Sequence, residues 1–116
     1  TVKCFHKHKS NNNPFIHIGD QDITASVNFT DIAKSSIDAG FKVDGFSTQS
    51  MFLISLGIEN FLVEEKDKKN KIKLAQEIKQ LVMPGAMGEV FKVMALTKKQ
   101  SVKLDGFKEQ NLTERL

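Results

Sequence analysis

The segment at positions 90–97 constrains the fold of this chain more than any other part of its sequence. It reads VFKVMALT and is apolar at both sets of alternating positions, with Lys92 as the charged exception. A strand with one face in water alternates apolar and polar residues, whereas a strand covered on both faces does not. The pattern therefore predicts a strand inside a sheet that helices cover on both sides.

A helix and a second strand are predicted upstream of this segment. Asn28 is a good N-cap, and Asp31 places negative charge in the first helical turn. The helix is predicted to run to about residue 39, where Gly40 can adopt the left-handed conformation that ends helices. Residues 41–46 then read as a strand.

Two further helices are predicted between the strands. Ser47 or Thr48 caps the first of them, and Gly57 ends it. Residues 60–71 are highly charged and weakly patterned, so we expect a surface helix end or a mobile insertion there. Apolar residues then return at helical spacing and predict an amphipathic helix that ends at the Pro-Gly pair after position 83. This order of elements indicates an α/β fold.

The two ends of the chain give weaker signals. Residues 1–9 alternate in character and carry several lysines, which predicts a strand at the edge of a sheet. The Asn-rich segment 10–14 reads as a loop. After Lys98 the chain turns polar, so we expect one short contact near residues 104–107 and a frayed terminus.

A zinc site is one alternative for the N-terminal segment. Cys4, His6 and His8 would project from one face of the first strand, and His17 could return across the loop as a fourth ligand. These ligand types suit zinc, but their spacing matches no standard zinc module. A zinc-binding small domain is therefore the third-ranked interpretation, and we expect no metal.

Composition argues against several functional classes. Seventeen basic and fourteen acidic residues give a net charge of +3, and the signs are mixed, which favours a solvated surface over a nucleic-acid interface. No apolar run approaches the roughly 20 residues that cross a bilayer. The single cysteine, Cys4, excludes an intramolecular disulfide and fits a reducing compartment. We therefore expect a cytoplasmic protein with neither nucleic-acid nor membrane partners.

Three sequence blocks follow one another in a fixed order: DITASVNF at 22–29, GFSTQ at 45–49 and MGEVFKVMAL at 87–96. In this order and spacing they resemble the C-terminal part of the MidA-like family of S-adenosylmethionine-dependent methyltransferases. That family includes the mitochondrial arginine methyltransferase that assists assembly of respiratory complex I. The segment FHKH at 5–8 is similar to the family's aromatic-x-x-His segment, so the likeness spans nearly the whole chain.

The resemblance implies the C-terminal portion of a class I, Rossmann-like α/β methyltransferase sheet with an antiparallel final strand. It assigns residues 90–97 to that strand and residues 41–46 to its neighbour. It also implies S-adenosylmethionine as cofactor and a protein substrate, with arginine as the modified residue and a respiratory complex subunit as the candidate.

The residues that would hold this cofactor are expected to lie outside the chain. In such folds the cofactor lies over a glycine-rich turn at the carboxyl ends of the first strands. The sequence contains no G-x-G-x-x-G or comparable glycine cluster. We therefore expect residues 1–116 to form a C-terminal fragment of a methyltransferase domain, without cofactor-binding residues and inactive on its own.

Six residues of the matching blocks are candidates for binding the methyl acceptor. Methyl transfer from a sulfonium depends mainly on positioning, so hydrogen-bonding and acidic side chains near the acceptor are the groups to seek. Ser26 and Asn28 stand where the family carries His and Asp, which removes two ionisable groups. Each candidate also has a structural alternative, as a helix cap or a solvated turn residue. The candidates are Asp22, Thr24, Asn28, Thr48, Gln49 and Glu89.

Two expectations concern the fragment as a unit. It should expose the sheet edge that absent strands would pair with, so we expect a dimer through that edge. The alternative function is a non-catalytic interaction or assembly module. The missing cofactor turn and the loss of ionisable groups at positions 26 and 28 favour that alternative.

Overall fold

A three-stranded antiparallel sheet forms the N-terminal part of the chain. The computed structural model describes residues 2–85 and 87–116. The strands are β1 (Val2–His6), β2 (Lys9–Asn11) and β3 (Asp22–Ala25), in the order β2-β1-β3. The prediction of an edge strand at residues 1–9 was therefore wrong: β1 is the central strand, and its one lysine, Lys3, is exposed. Thr1 lies outside the described residues.

A tight hairpin turn splits the segment that was predicted as one strand. Lys7 and His8 both have positive φ, at 46° and 63°, as a two-residue turn between antiparallel strands requires. Cys4 faces Asn11 on one side and Ile23 on the other, and its side chain is fully buried. The loop predicted from Ser10 therefore begins at Asn12, because Ser10 and Asn11 belong to β2.

The first helix, α1 (Phe29–Asp38), begins and ends where the sequence predicts. The Asn28 side chain accepts a hydrogen bond from the Asp31 amide at 3.2 Å, and Gly40 has φ of +87° after the last turn. The helix packs on the following strand, β4 (Phe41–Thr48), where the Phe29 and Phe46 rings lie 5.1 Å apart. The bounds of α1 are therefore set by local capping interactions.

Strand β4 pairs antiparallel with β5 (Lys92–Lys98), so the expected antiparallel final strand is confirmed. Phe41 lies opposite Lys98 and Thr48 opposite Lys92, with a bulge between Val43 and Gly45. The strand predicted at 90–97 starts two residues later, because residues 87–90 form a helical turn. The expectation that β5 lies inside a sheet is not met among the described residues, where β4 is its only partner strand.

Among the described residues between β4 and β5 lie four helices: α2 (Gln49–Ser55), α3 (Asn60–Glu64), α4 (Lys68–Val82) and α5 (Met87–Val90). The Thr48 cap, the end at Gly57 and the end of α4 before Pro84 are confirmed. Residues 60–71, expected to form a surface helix end or a mobile insertion, hold α3 and the first turn of α4. The Asp67 carboxylate caps α4 by accepting from the Lys69 and Asn70 amides. None of the described helices is both long and apolar enough to cross a membrane.

The C-terminal tail packs against the body, so the prediction of a frayed terminus was wrong. Short 3₁₀ turns occur at Asp105–Phe107 and Thr113–Arg115. Phe107 is buried, and its ring lies 5.3 Å from that of Phe52. A β-carbon at Gly45 or Gly106 would clash with one of these two rings, so both glycines permit this packing. Non-local contacts of this kind leave no periodic signal in the sequence.

The molecule as a whole is open, with a small core. Its radius of gyration is 17.8 Å, whereas about 13 Å is typical of a compact domain of this length. Its accessible surface is 8881 Å², against about 6,300 Å² for a folded monomer of this mass. No element of the three-stranded sheet packs extensively on the body formed by α1 and the later elements.

Candidate functional site

The carboxyl end of β4 is where the second and third sequence blocks meet. Antiparallel pairing places Thr48 opposite Lys92, and the Gln49 amide donates to the Phe91 carbonyl at 2.9 Å. Polar residues at strand ends are common in functional sites of α/β folds. The structure therefore brings Thr48, Gln49 and the α5 turn with Glu89 into one region.

Thr48 is held in place by the helix it caps and by the tail. Its hydroxyl accepts from the Met51 amide at 3.2 Å, which is an N-cap interaction for α2. Its own amide donates to the Gln110 side-chain carbonyl at 3.1 Å, and the buried Ser47 hydroxyl donates to the same oxygen at 3.2 Å. The side chain of Thr48 therefore serves the fold in this structure.

Gln49 links two helices instead of capping one. Its side-chain amide donates to the Leu81 carbonyl at 3.0 Å, which satisfies one of the free carbonyls at the end of α4. This contact joins α2 to α4 and fixes the position of the α5 turn that follows. The predicted capping role belongs to Thr48.

Glu89 lies exposed on α5, beside a glycine with a structural role. Gly88 is buried, and a β-carbon there would clash with the Val82 backbone, so the close approach of α5 to α4 requires glycine. The Lys92 ammonium donates to the Glu89 carbonyl, which closes the turn. The carboxylate of Glu89 is left facing solvent at the carboxyl end of β4.

The first block is divided between two parts of the molecule. Asp22 and Thr24 lie exposed in β3, opposite Phe5 and Lys3 of β1. Asn28 caps α1, and its amide nitrogen also donates to the Asp31 carboxylate at 2.7 Å. Within the described residues, Asp22 and Thr24 are therefore not brought together with Thr48 and Gln49.

Sequence reasoning missed Asp44, the residue that organises the far end of the β4–β5 pair. Its carboxylate accepts from the Thr97 hydroxyl at 2.6 Å and from the Val102 amide at 2.8 Å. These hydrogen bonds, with that of Thr97 the strongest, hold the pKa of Asp44 below its ordinary value. Asp44 lies at the bulge, and a bulge has no sequence signature that would have revealed this role.

Gln110 and Asn111 of the tail were missed as well. The Asn111 side chain accepts from the Phe46 amide at 3.2 Å and donates to the Asp44 carbonyl at 3.0 Å. The Leu112 amide also donates to the Phe46 carbonyl. The tail thus covers the outer edge of β4. The sequence does not predict this contact, because Gln110 and Asn111 are two amide residues within a polar stretch.

The histidines of the N-terminal sheet interact with each other and with a carboxylate. His6 and His17 stack with ring centroids 4.0 Å apart, and His6 Nε2 lies 3.0 Å from an Asp20 carboxylate oxygen. His8 lies in the hairpin turn, so the predicted single face of Cys4, His6 and His8 does not form. Across residues 2–85 and 87–116, no group of three potential ligands could hold a metal ion.

The described residues do not fit an adenosyl cofactor by themselves. Both sheets are antiparallel throughout, whereas the nucleotide crevice of an α/β fold lies at the carboxyl ends of parallel strands. The positive-φ glycines among residues 2–85 and 87–116 lie in separate turns, not in one strand-to-helix turn. No step of a reaction is therefore assigned to a cofactor held by this chain.

The chain is a mixed α/β structure with antiparallel strands, and two comparisons relate it to methyltransferases. Residues 1–47 match the profile of a family described as "Putative S-adenosyl-L-methionine-dependent methyltransferase". This match includes the first block and all of α1. No curated protein matches the chain.

Two similar solved structures come from Burkholderia thailandensis. One is described as a superfamily member and "likely methyl transferase" bound to S-adenosyl-homocysteine, the other as an uncharacterised protein of the same superfamily. Each has 32% sequence identity and a TM-score of 0.91 over 100% of this chain. The chain spans 30% of the first structure and 32% of the second. Together the comparisons are consistent with a partial methyltransferase domain.

Proposed function

We propose that this chain is the C-terminal portion of a MidA-like methyltransferase that uses S-adenosylmethionine bound by the rest of the parent protein. The observation that carries the proposal is its similarity, over its whole length, to a chain about three times as long that was solved with S-adenosyl-homocysteine. The antiparallel β4–β5 pair supports the same assignment, because the resemblance implies such a pair at the end of the sheet.

The proposed methyl acceptor is an arginine side chain of a protein, with a respiratory complex subunit as the candidate. A guanidinium is charged at neutral pH, so its methylation requires carboxylates and a site that excludes water. Glu89 offers an exposed carboxylate at the carboxyl end of β4, and Asp22 offers another on β3. In this proposal Thr48, Gln49 and Asn28 position the helices around the acceptor, and Thr24 lies beside Asp22 on the sheet.

The experiment compares the whole parent protein with the 116-residue chain, each incubated with S-adenosylmethionine labelled in its methyl group. The parent should transfer label to arginine in a mitochondrial or bacterial protein extract, and the chain alone should transfer none. A Glu89→Gln parent should lose much of its activity while its cofactor affinity is unchanged. Turnover by the isolated chain, or no transfer by the parent, would contradict the proposal.

The proposed partner surface is the free edge of β5. The tail covers the outer edge of β4 through the Leu112 amide and the Asn111 side chain, whereas β5 has no second partner strand among the described residues. Exposed strand edges promote pairing between chains. We propose a cytoplasmic protein whose isolated C-terminal portion dimerises through β5. Analytical ultracentrifugation should show a concentration-dependent dimer that Leu96→Lys abolishes, and a strict monomer would refute it.

A non-catalytic assembly module is the second candidate. The loop between β2 and β3 favours it, because Phe15 and Ile18 are each 80% exposed. The loop is held by Asn13, which accepts hydrogen bonds from the Phe15 amide and the Gln21 side chain. Rigid exposed apolar side chains are typical anchors of protein interfaces. This candidate predicts that the parent protein fails to bind S-adenosyl-homocysteine in a calorimetric titration, whereas the methyltransferase predicts saturable binding.

A further inference from the structure

A groove lies between α1, the first residues of β4 and the C-terminal turn, and nothing described so far uses it. Its volume is about 460 Å³, which falls within the range of small-molecule sites. The groove is half open to solvent and lies at the start of β4. Along the strand, about 23 Å separate Phe41 from Thr48 at a rise of about 3.3 Å per residue. It is therefore separate from the candidate acceptor region.

The lining of the groove combines an apolar floor with a basic rim. Ala33 and Ile37 of α1 face Phe41 and Val43 of β4, and Thr30, Thr113 and Leu116 complete the wall. Ile37 is 59% exposed, so a ligand lying along the floor would remove apolar surface from water. This half of the site suits an alkyl chain.

Two lysines make up the basic rim. Lys34 and Lys42 both line the groove, and none of its nine lining residues carries a side-chain carboxylate. A third ammonium, that of Lys98, lies 5.1 Å from the centroid of the Phe41 ring. Lys42 also attracts the Asp44 carboxylate, and the lysines together favour an anion at the rim of the groove.

We propose that this groove binds a free amphipathic carboxylate, with the alkyl chain along Ile37 and Phe41 and the carboxylate at Lys34 and Lys42. The apolar floor matches the alkyl chain of such a ligand, and the lysines of the rim match its carboxylate. Thr113 and Leu116 of the tail line the groove, close in sequence to Leu112, which bonds to β4. The inference is independent of methyl transfer.

The test is calorimetric titration of the full protein with decanoate and with decanol, below the concentration at which either forms micelles. Decanoate should bind saturably with one site per chain. The double variant Lys34→Gln/Lys42→Gln should weaken decanoate binding about tenfold or more, because it removes charge-assisted contacts, and should leave decanol binding unchanged. Ile37→Ser should weaken the binding of both ligands.

Lys73→Gln is the matched control, since Lys73 is an exposed lysine of α4 outside the groove, and it should leave both affinities unchanged. All three variants change exposed side chains, so their circular dichroism should equal that of the parent. Decanoate binding that is absent, or that the double variant does not weaken, overturns the proposal. The proposal is also overturned if the protein sediments with phosphatidylglycerol vesicles in a lysine-dependent way but does not bind decanoate. That result would mean that the lysines bind a lipid surface.

Discussion

At the scale of single residues, the side chains that matter most for this fold make contacts distant in sequence. Asp44 lies at a bulge and binds Thr97 and the Val102 amide, more than fifty residues away. Gly88 must be glycine, because a β-carbon there would clash with the backbone of the preceding helix. Neither residue stands out in the sequence, because the requirement comes from a neighbour that only the folded chain brings close.

Asp44→Asn should make stability less dependent on pH in acid. Hydrogen bonds from Thr97 and Val102 lower the folded-state pKa of Asp44 below its ordinary value of 3.8. The charged carboxylate therefore stabilises the fold above pH 3.8, and this contribution is lost as pH falls through the lowered pKa. Urea unfolding between pH 7 and pH 3 should show parent and variant converging in acid. Glu77→Gln, at an exposed position on α4, should show no such convergence.

Gly88→Ala should destabilise the chain by about 1–3 kcal/mol, the range expected when an added methyl group must displace packed structure. The β-carbon would clash with the Val82 backbone, which cannot yield as a flexible side chain would. The comparison is Glu89→Ala in the same short helix, where an exposed side chain should change the free energy of unfolding by less than about 0.5 kcal/mol. Equal midpoints for the two variants in urea would contradict this account.

At the scale of elements, local signals predict the helices well and the sheet only in part. Asn28, Thr48, Gly40 and Gly57 define helix ends through their own backbone and side-chain chemistry, so the sequence reveals them directly. The antiparallel pairing of β4 with β5 came from the family resemblance. The contact predicted near residues 104–107 is confirmed by the buried Phe107. The docking of Gln110 and Asn111 on β4 was not predicted, because these contacts depend on surfaces formed by other elements.

The tail should be fixed by two separable contacts. Gln110→Ala should speed hydrogen exchange of the Thr48 amide, which donates to that side chain, and leave the Phe46 amide protected. Asn111→Ala should do the reverse, because the Phe46 amide donates to Asn111. Each variant should cost about 1–3 kcal/mol of stability, as expected when a partly buried donor loses its partner. If both amides exchange together in both variants, the tail is released as a unit and the separate roles are wrong.

At the scale of the whole molecule, the chain exposes much more surface than a closed domain. Val63, Phe15 and Ile18 are more than three-quarters exposed, and β5 has only one partner strand in the part of the chain that the structure describes. A chain that spans 30% of a similar structure would leave such surfaces open. Because the molecule is open, the candidate acceptor residues lie in separate regions. No sequence pattern could therefore predict one site from them.

Unfolding should therefore expose less new surface than is usual for 116 residues. With a folded surface of 8881 Å², unfolding would newly expose about four-fifths of the surface that a compact domain of this mass exposes on unfolding. Because the urea m-value follows this change, it should be about four-fifths of the usual value at low protein concentration. An m-value that rises with concentration would indicate self-association through β5. A full value at every concentration would show that the chain closes on itself.

The bulge in β4 has a consequence for the comparison of related sequences. Val43 pairs with Leu96 and Gly45 with Ala95, so Asp44 is one residue without a counterpart across the strand. Side chains on a regular strand point alternately to either side, and one extra residue reverses that alternation for all that follow. In a relative that lacks this position, pairing with β5 would keep Phe46 and Thr48 on the faces of Met94 and Lys92, and the alternation along β4 would run without a break. In related sequences, the face to which a side chain of this strand points should be counted from the glycine after the bulge, and not from the helix before the strand.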